Sequence, residues 1–212
     1  MQTFLSFESS NDDQIIESSE NELAIKILQE NQKYVLIHGP KKSGKSLLAK
    51  KFSRINNKKI IYDIPLKLEF DTGVYLDLNS LPLKSEYFFH FLQYFVSNKL
   101  SLTIFSCHSF ENDLSNFEVI PDILSRLKLF TLITLNSPQD QLLFQLIEKF
   151  LKNKSISVQP KIIHHIMNFI ERTYVDAFQA AEAINHLLYE NNHNINLSLI
   201  SEYYEQVQRP LS

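Results

Sequence analysis

The chain has 212 residues, 44% of them hydrophobic, which is enough for one well-buried core with a small satellite domain and too many for a disordered polymer. A formal net charge of −3 argues against autonomous DNA binding, the single cysteine (Cys107) excludes an internal disulfide or a cysteine-rich zinc site, and no stretch approaches the ~20 apolar residues of a membrane helix. The N-terminus, Met-Gln-Thr-Phe leading into an acidic stretch, does not read as a secretory signal, so a reducing, cytoplasmic setting is expected.

In chain order, residues 1–7 form a short apolar tip and 8–22 a polar, acidic linker. Glu22 to Glu30 has helical spacing at Leu23, Ile27 and Leu28. Tyr34 to Ile37 has the length and flanks of a buried strand. A glycine-bearing loop follows, then a helix from Lys45 to about Arg54, and a strand at Lys59–Tyr62. Val74 to Asp77 is a third strand that ends on an acid. Ser85 caps a helix running to about Asn98, with Phe88, Phe89, Leu92 and Phe95 on one face. Ser101–Ser106 and Phe130–Leu135 are two further strands, separated by a short helix at Ile120–Leu127. Strands alternating with helices imply a parallel sheet covered on both faces.

The pattern changes at Ser137-Pro138, where Ser as cap and Pro at the first helical position open a helix. Only helical periodicity follows, over 138–153, 160–171, 174–190 and 197–208. The expected organisation is a tip and linker (1–22), an α/β nucleotide domain (23–136) and a small all-helical domain (137–212).

The loop is Gly39-Pro40-Lys41-Lys42-Ser43-Gly44-Lys45-Ser46, with Leu47 next in the helix. The spacing G-x-x-x-x-G-K-S, placed after an apolar strand and before a helix, is the phosphate-loop pattern. Its glycines let backbone N–H groups converge on a phosphate, Lys45 reaches the β- and γ-phosphates, and the Ser46 hydroxyl ligates Mg²⁺. A chance match in a lysine-rich turn is the bland alternative. The chain holds only three glycines, however, and two fall in this loop.

Asp77, at a strand end, is the candidate second Mg²⁺ ligand. Its neighbours are Leu76 and Leu78, so no tandem acid is present and intrinsic hydrolysis is expected to be weak. Arg126, in Leu124-Ser125-Arg126-Leu127, taken alone is an ordinary surface arginine. His164, His165 and His186 lie on helices without acids at ligand spacing. Cys107 reads as a buried, small apolar residue. Lys50, Lys51, Arg54, Lys58 and Lys59 read as a solvated helix face.

The order of these parts resembles the DnaA/Hda-type AAA+ family over nearly the whole chain. Glu86-Tyr87-Phe88-Phe89-His90 is similar to the E-x-F-F-H helix that follows the family's Mg²⁺-binding strand. Ile120-Pro121-Asp122-Ile123-Leu124-Ser125-Arg126-Leu127 resembles L-P-D-L-x-S-R-L. Ile170-Glu171-Arg172-Thr173-Tyr174 and Ala183-Ile184-Asn185-His186-Leu187 resemble the AAA+ lid. Gln2-Thr3-Phe4-Leu5-Ser6-Phe7 resembles the clamp-binding peptide Q-x-x-L-x-F.

The resemblance implies an AAA+ parallel sheet with a helical lid, ATP or ADP with Mg²⁺ as cofactors, Ser106 as the sensor-1 residue and Arg126 as a catalytic arginine finger. It implies contacts of Gln2, Leu5 and Phe7 with the DNA polymerase sliding clamp, and promotion of ATP hydrolysis on a DnaA-type initiator, with a homodimer possible. Phe178 stands where the family's lid presents an arginine. The last twenty or so residues hold Arg209 and no lysine, and the chain ends where a DnaA protein would begin its DNA-binding domain, so no autonomous DNA-binding domain is expected. The alternatives are a small P-loop metabolite kinase, disfavoured because only Arg172 and Arg209 occur beyond residue 136, and a nucleotide-binding scaffold without activity in trans.

Overall fold

Five short apolar runs become the five strands of one parallel sheet in the computed structural model, which describes residues 14–107, 121–192 and 194–208. Gln2, Leu5 and Phe7 lie outside the described residues. The described elements are α1 (Glu22–Gln29), β1 (Tyr34–His38), α2 (Lys45–Ile55), β2 (Lys59–Ile61), β3 (Val74–Asp77), α3 (Glu86–Ser97), β4 (Leu102–Ser106), α4 (Pro121–Leu127), β5 (Thr131–Thr134), α5 (Asp140–Asn153), α6 (Pro160–Ile166), α7 (Tyr174–Glu190) and α8 (Leu197–Gln208).

The strand order is β2-β3-β4-β1-β5, and every pairing is parallel. Alternate residues of the central strands serve opposite faces of the sheet. Leu36, Leu76 and Ile104 join Phe88, Phe91 and Phe95 of α3 and Ile123 and Leu127 of α4 in one cluster. On the other face α2, through buried Leu48, Ala49 and Phe52, meets β2, β3 and β4. The Ser85 side chain accepts from the Phe88 N–H and caps α3. Phe91, rather than Phe89, completes the buried stripe, because a turn of 3.6 residues puts 88, 91, 92 and 95 on one face.

The chain divides into two compact units, Glu17–Asn136 and a second comprising residues 14–16 and 137 onward. In the second, α5 packs chiefly on α7, and the core is Leu143, Ile147 and Leu151 against Ala177, Ala180 and Ile184. The α5 helix starts later than expected. Gln139 is its N-cap in an extended conformation, and Pro138 is a buried residue of the preceding segment instead of the first helical residue. The α6 helix is also shorter than its hydrophobic pattern suggests. After Ile166 the chain closes with three-residue bonds, Asn168 N–H to His165 O and Phe169 N–H to Ile166 O, and the Phe169 ring stacks on Tyr204 at 5.4 Å. Thr173 caps α7, its hydroxyl oxygen accepting from the Asp176 N–H at 3.0 Å. No helix among the described residues is long and apolar enough to cross a membrane.

Candidate nucleotide site

The carboxyl ends of parallel strands leave a crevice where the connecting loops diverge, and that is where open α/β sheets place ligands. Here β1 delivers its last residue, buried His38, between Ser106 of β4 and Thr134 of β5. The loop from Gly39 to Gly44 leaves from that point. Its first residue is clamped: the Gly39 N–H donates to the Ser106 carbonyl at 3.2 Å, and the Leu135 N–H donates to the His38 carbonyl at 2.8 Å. A Cβ on residue 39 would lie 2.7 Å from the Leu135 Cβ, a separation no side chain tolerates.

Two left-handed residues then coil the loop, Lys42 (φ 63°) and Gly44 (φ 86°), the latter serving as N-cap of α2. Such a conformation strains any residue with a Cβ and is natural for glycine. It turns successive N–H groups inward at a helix start, the geometry of an anion-binding concavity.

Lys45 is only 5% exposed. Its Nζ donates to the Pro40 carbonyl at 2.7 Å, the Gly39 carbonyl at 2.9 Å and the Ser43 hydroxyl at 3.1 Å, which holds the ammonium across the loop. Burial pulls its pKa below the usual lysine range, while the Cys107 thiol and the Asp77 carboxylate oppose that shift. Ser46 is exposed and Leu47 half-buried in the first turn of α2, Lys41 and Lys42 are exposed, and Asp77 is half-buried at the end of β3 beside Phe105 of β4. The structure therefore gathers Lys45, Asp77 and Cys107 at one end of the sheet. Ser106 is fully buried, and its carbonyl holds the loop through Gly39.

Arg126 lies elsewhere. Its Nε donates to Gln93 Oε1 at 2.6 Å, its Nη1 donates to Ser125 Oγ at 3.2 Å, and its guanidinium carbon sits 5.6 Å from the Phe89 ring centre. Among the described residues its partners are thus on α3 and α4, none on the loop. Phe178 packs edge-on against Phe150 at 5.5 Å inside the helical unit.

Three features escaped the sequence. Cys107 is half-buried and within reach of the Lys45 ammonium, not a core residue. His38 meets Thr134 Oγ1 at 2.7 Å through its Nε2, tying β1 to β5 beside the loop. Lys58 is 8% exposed rather than solvated. Strand-end position was the available signal for the first two; nothing in the sequence marks the third.

These features define the AAA+ fold: a five-stranded parallel sheet flanked by helices, with a helical C-terminal portion. Domain III of the Thermotoga maritima replication initiation protein DnaA superposes with a TM-score of 0.70 over 98% of this chain and 100% of that one, at 11% identity. The P216G mutant of Thermotoga maritima RuvB gives a TM-score of 0.66 over 89% of this chain and 68% of that one, at 14% identity. AMPPCP-bound DnaA from Aquifex aeolicus gives 0.60 over 90% and 68%, also at 14% identity. No family model matches the chain, and no curated protein matches it in sequence.

Proposed function

We propose that this chain is a nucleotide-binding AAA+ adaptor that acts on a DnaA-type initiator. The observation that carries the nucleotide half is the loop itself, where a left-handed Gly44 opens α2 and a buried Lys45 spans the coil. The residues fit an adenine nucleotide with Mg²⁺. Gly39 and Gly44 keep side chains out of the concavity, Lys45 would pair with β- and γ-phosphate oxygens, and Ser46 and Asp77 would ligate the cation. No three His, Cys, Asp or Glu side chains cluster among the described residues, so the cation would draw its other ligands from phosphate and water. Bound Mg²⁺ neutralises phosphate charge. Leu76 and Leu78 leave no second acid to orient a water, which favours binding with little turnover.

The adaptor half rests on Arg126. Phe89 and Gln93 would hold its guanidinium as an oriented fork at the end of α4, with Nη2 bonded to none of the described residues. Such a group, aimed in trans at a γ-phosphoryl group bound by another ATPase, stabilises charge that spreads in the transition state. The segment with Gln2, Leu5 and Phe7 would dock the chain on the sliding clamp as an extended peptide with two apolar anchors.

Calorimetry with ADP and ATP tests the first half. The native chain should bind, and Lys45→Ala should bind roughly 10–100-fold more weakly, the value of lost charge-assisted bonds. Equal affinities would remove the loop from the reading. Initiator ATP hydrolysis with clamp on DNA tests the second half. Arg126→Ala and Arg126→Lys should lose most of a stimulation on the order of 10³–10⁵ while still binding nucleotide. Stimulation undiminished by Arg126→Ala would exclude this residue.

A further inference from the structure

Residues 14–16 precede the α/β unit in sequence yet belong with the helical unit. Lys149 of α5 donates through its Nζ to the Gln14 carbonyl, and Ile15 and Ile16 are half-buried. The chain that leads up to Gln14 is thus delivered to the surface of α5. Residues 1–13 lie outside the described residues. Their composition falls in two parts, an apolar one with Phe4, Leu5 and Phe7 and then an acidic one with Glu8, Asp12 and Asp13 and no Lys or Arg.

A cleft of 620 Å³ begins one turn away on the same helix. Gln141, Phe144, Gln145 and Glu148 form its α5 wall, a stripe at helical spacing, and Gln145 stands one turn before Lys149. His164, Met167 and Asn168 form the facing wall, from α6 and the turn after it. The Phe144 ring stacks on the His164 ring at 4.8 Å, which with Met167 makes an apolar floor between polar rims. Both acids of the cleft are paired, Asp140 with Arg172 at 2.9 Å and Glu148 with Lys152 at 3.2 Å. Exposed Lys161 stands one turn from His164 on α6. A larger cleft beside α7 and α8, of 880 Å³, is lined by Glu171 and Asp176 and by no Lys or Arg, a poor match for an acidic segment.

We propose that the cleft between α5 and α6 is the docking site of this chain's own N-terminal tip, Phe4, Leu5 and Phe7 against Phe144 and Met167 and the acidic residues toward Lys161. Reach does not limit the contact. Seven residues lead from Phe7 to Gln14, about 24 Å of extended chain, against about 10 Å for the run of the cleft along α5 from Gln141 to Glu148. A tether this short holds the tip at an effective concentration on the order of 1 mM. A cleft that binds the free peptide with a Kd of only about 100 μM is then filled in cis about nine-tenths of the time. The contact withholds Leu5 and Phe7 from outside partners, a consequence that for the sliding clamp rests on the clamp reading above.

Fluorescence anisotropy with a labelled peptide of residues 1–13 tests the cleft without the clamp. The full chain carrying Leu5→Ala and Phe7→Ala has its cleft open. It should bind the peptide about tenfold more tightly than the native chain, whose own tip competes. Adding His164→Glu and Asn168→Glu, both at exposed positions of the cleft, should abolish that binding, with the thermal unfolding midpoint as the check on folding.

A second readout needs no substitution in the cleft. Met1 and Met167 are the two methionines of the chain, so methyl-labelled methionine gives one signal inside the cleft. The Met167 signal should differ between the native chain and the Leu5→Ala, Phe7→Ala variant, and should return toward its native position when peptide is added to the variant. Equal peptide affinity of those two proteins, binding that survives the cleft substitutions, or a Met167 signal indifferent to the tip would overturn the proposal. A Met167 difference that grows with protein concentration would give the cleft to the tip of a second copy and overturn the contact in cis. With the native tip in place, His164→Glu with Asn168→Glu should bind the clamp about tenfold more tightly than the native chain. A clamp that ignores every form, beside the expected peptide and methyl results, sinks the clamp reading alone.

Discussion

Around α3 the α/β unit fills its interior with rings. Phe88, Phe91 and Phe95 have no exposed surface, and Phe70 meets Phe91 and Phe95 with ring centres 6.4 Å and 5.2 Å apart. On α7 of the helical unit the equivalent interior positions are Ala177, Ala180 and Ala181, also without exposed surface, facing the leucines and isoleucine of α5. A helix lying on a sheet leaves a deep space that large, flat side chains fill, with edge-on ring contacts adding to burial. Two helices packed on each other gain contact when one presents small residues and lets the backbones approach. The first core is therefore sensitive to deletion and the second to insertion.

The largest effect should come from Phe95→Ala, which removes a fully buried ring amid three aromatic neighbours. Urea denaturation should show a loss of about 3–5 kcal/mol, and a loss under 1 kcal/mol would mean that the ring cluster collapses to fill the gap.

Lys58 tests the same core from its polar side. Its Nζ is buried with no hydrogen-bond partner among the described residues and lies 5.1 Å from the Tyr75 ring centre, and burial pushes its pKa down to about 8. The unfolded chain holds this proton up to about pH 10.4, so between pH 8 and that value the unfolded state binds more protons and stability should rise with pH. At 1.36 kcal/mol per pH unit the rise is roughly 3 kcal/mol, set against the attraction of the Tyr75 face. Lys58→Met keeps the stem and removes the charge. It should be more stable than the native chain at pH 7 and should flatten the pH dependence in that window. An unchanged slope would show that Lys58 is solvated in solution.

The smallest effect is the converse test on α7. Ala181→Leu inserts three carbons into a filled helix interface and should cost about 1–3 kcal/mol by thermal or urea unfolding. A neutral result would show slack between α5 and α7.

What could be read from the sequence followed local rules. The coiled loop between β1 and α2 was legible because glycine scarcity, the lysine and the strand-to-helix context act within ten residues. Ser85 was legible as a cap, and so was the alternation that makes the sheet. The failures depend on distant partners. The α6 helix stops at Ile166 although apolar residues continue, because Phe169 leaves the helical path to stack on Tyr204 of α8. Phe89 packs only half-buried at the margin of the core, with the Arg126 guanidinium of α4 against its ring. Lys58 looks like its exposed neighbours in the sequence, and its burial beside Tyr75 of β3 depends on a residue seventeen positions away. Cys107 depends on where β4 ends relative to α2, which no local pattern records.

The contact between residues 39 and 135 also bears on how this sequence can change through mutation. The space a Cβ at 39 would need is taken by the Leu135 Cβ and carbonyl, from the segment just past β5. Every substitution at 39 therefore meets the same obstacle, whatever its chemistry, and shrinking residue 135 leaves its backbone oxygen 3.0 Å from the intruding carbon. Removing the side chain at 135 would therefore still ask the backbone there to give by a few tenths of an ångström. In a deep mutational library scored for folding and binding, position 39 should be nearly immutable. Position 135 should accept other residues that leave its backbone in place. Chance duplication and drift could rewrite much of the surface around this loop, yet its first glycine would persist for as long as the strand beside it does.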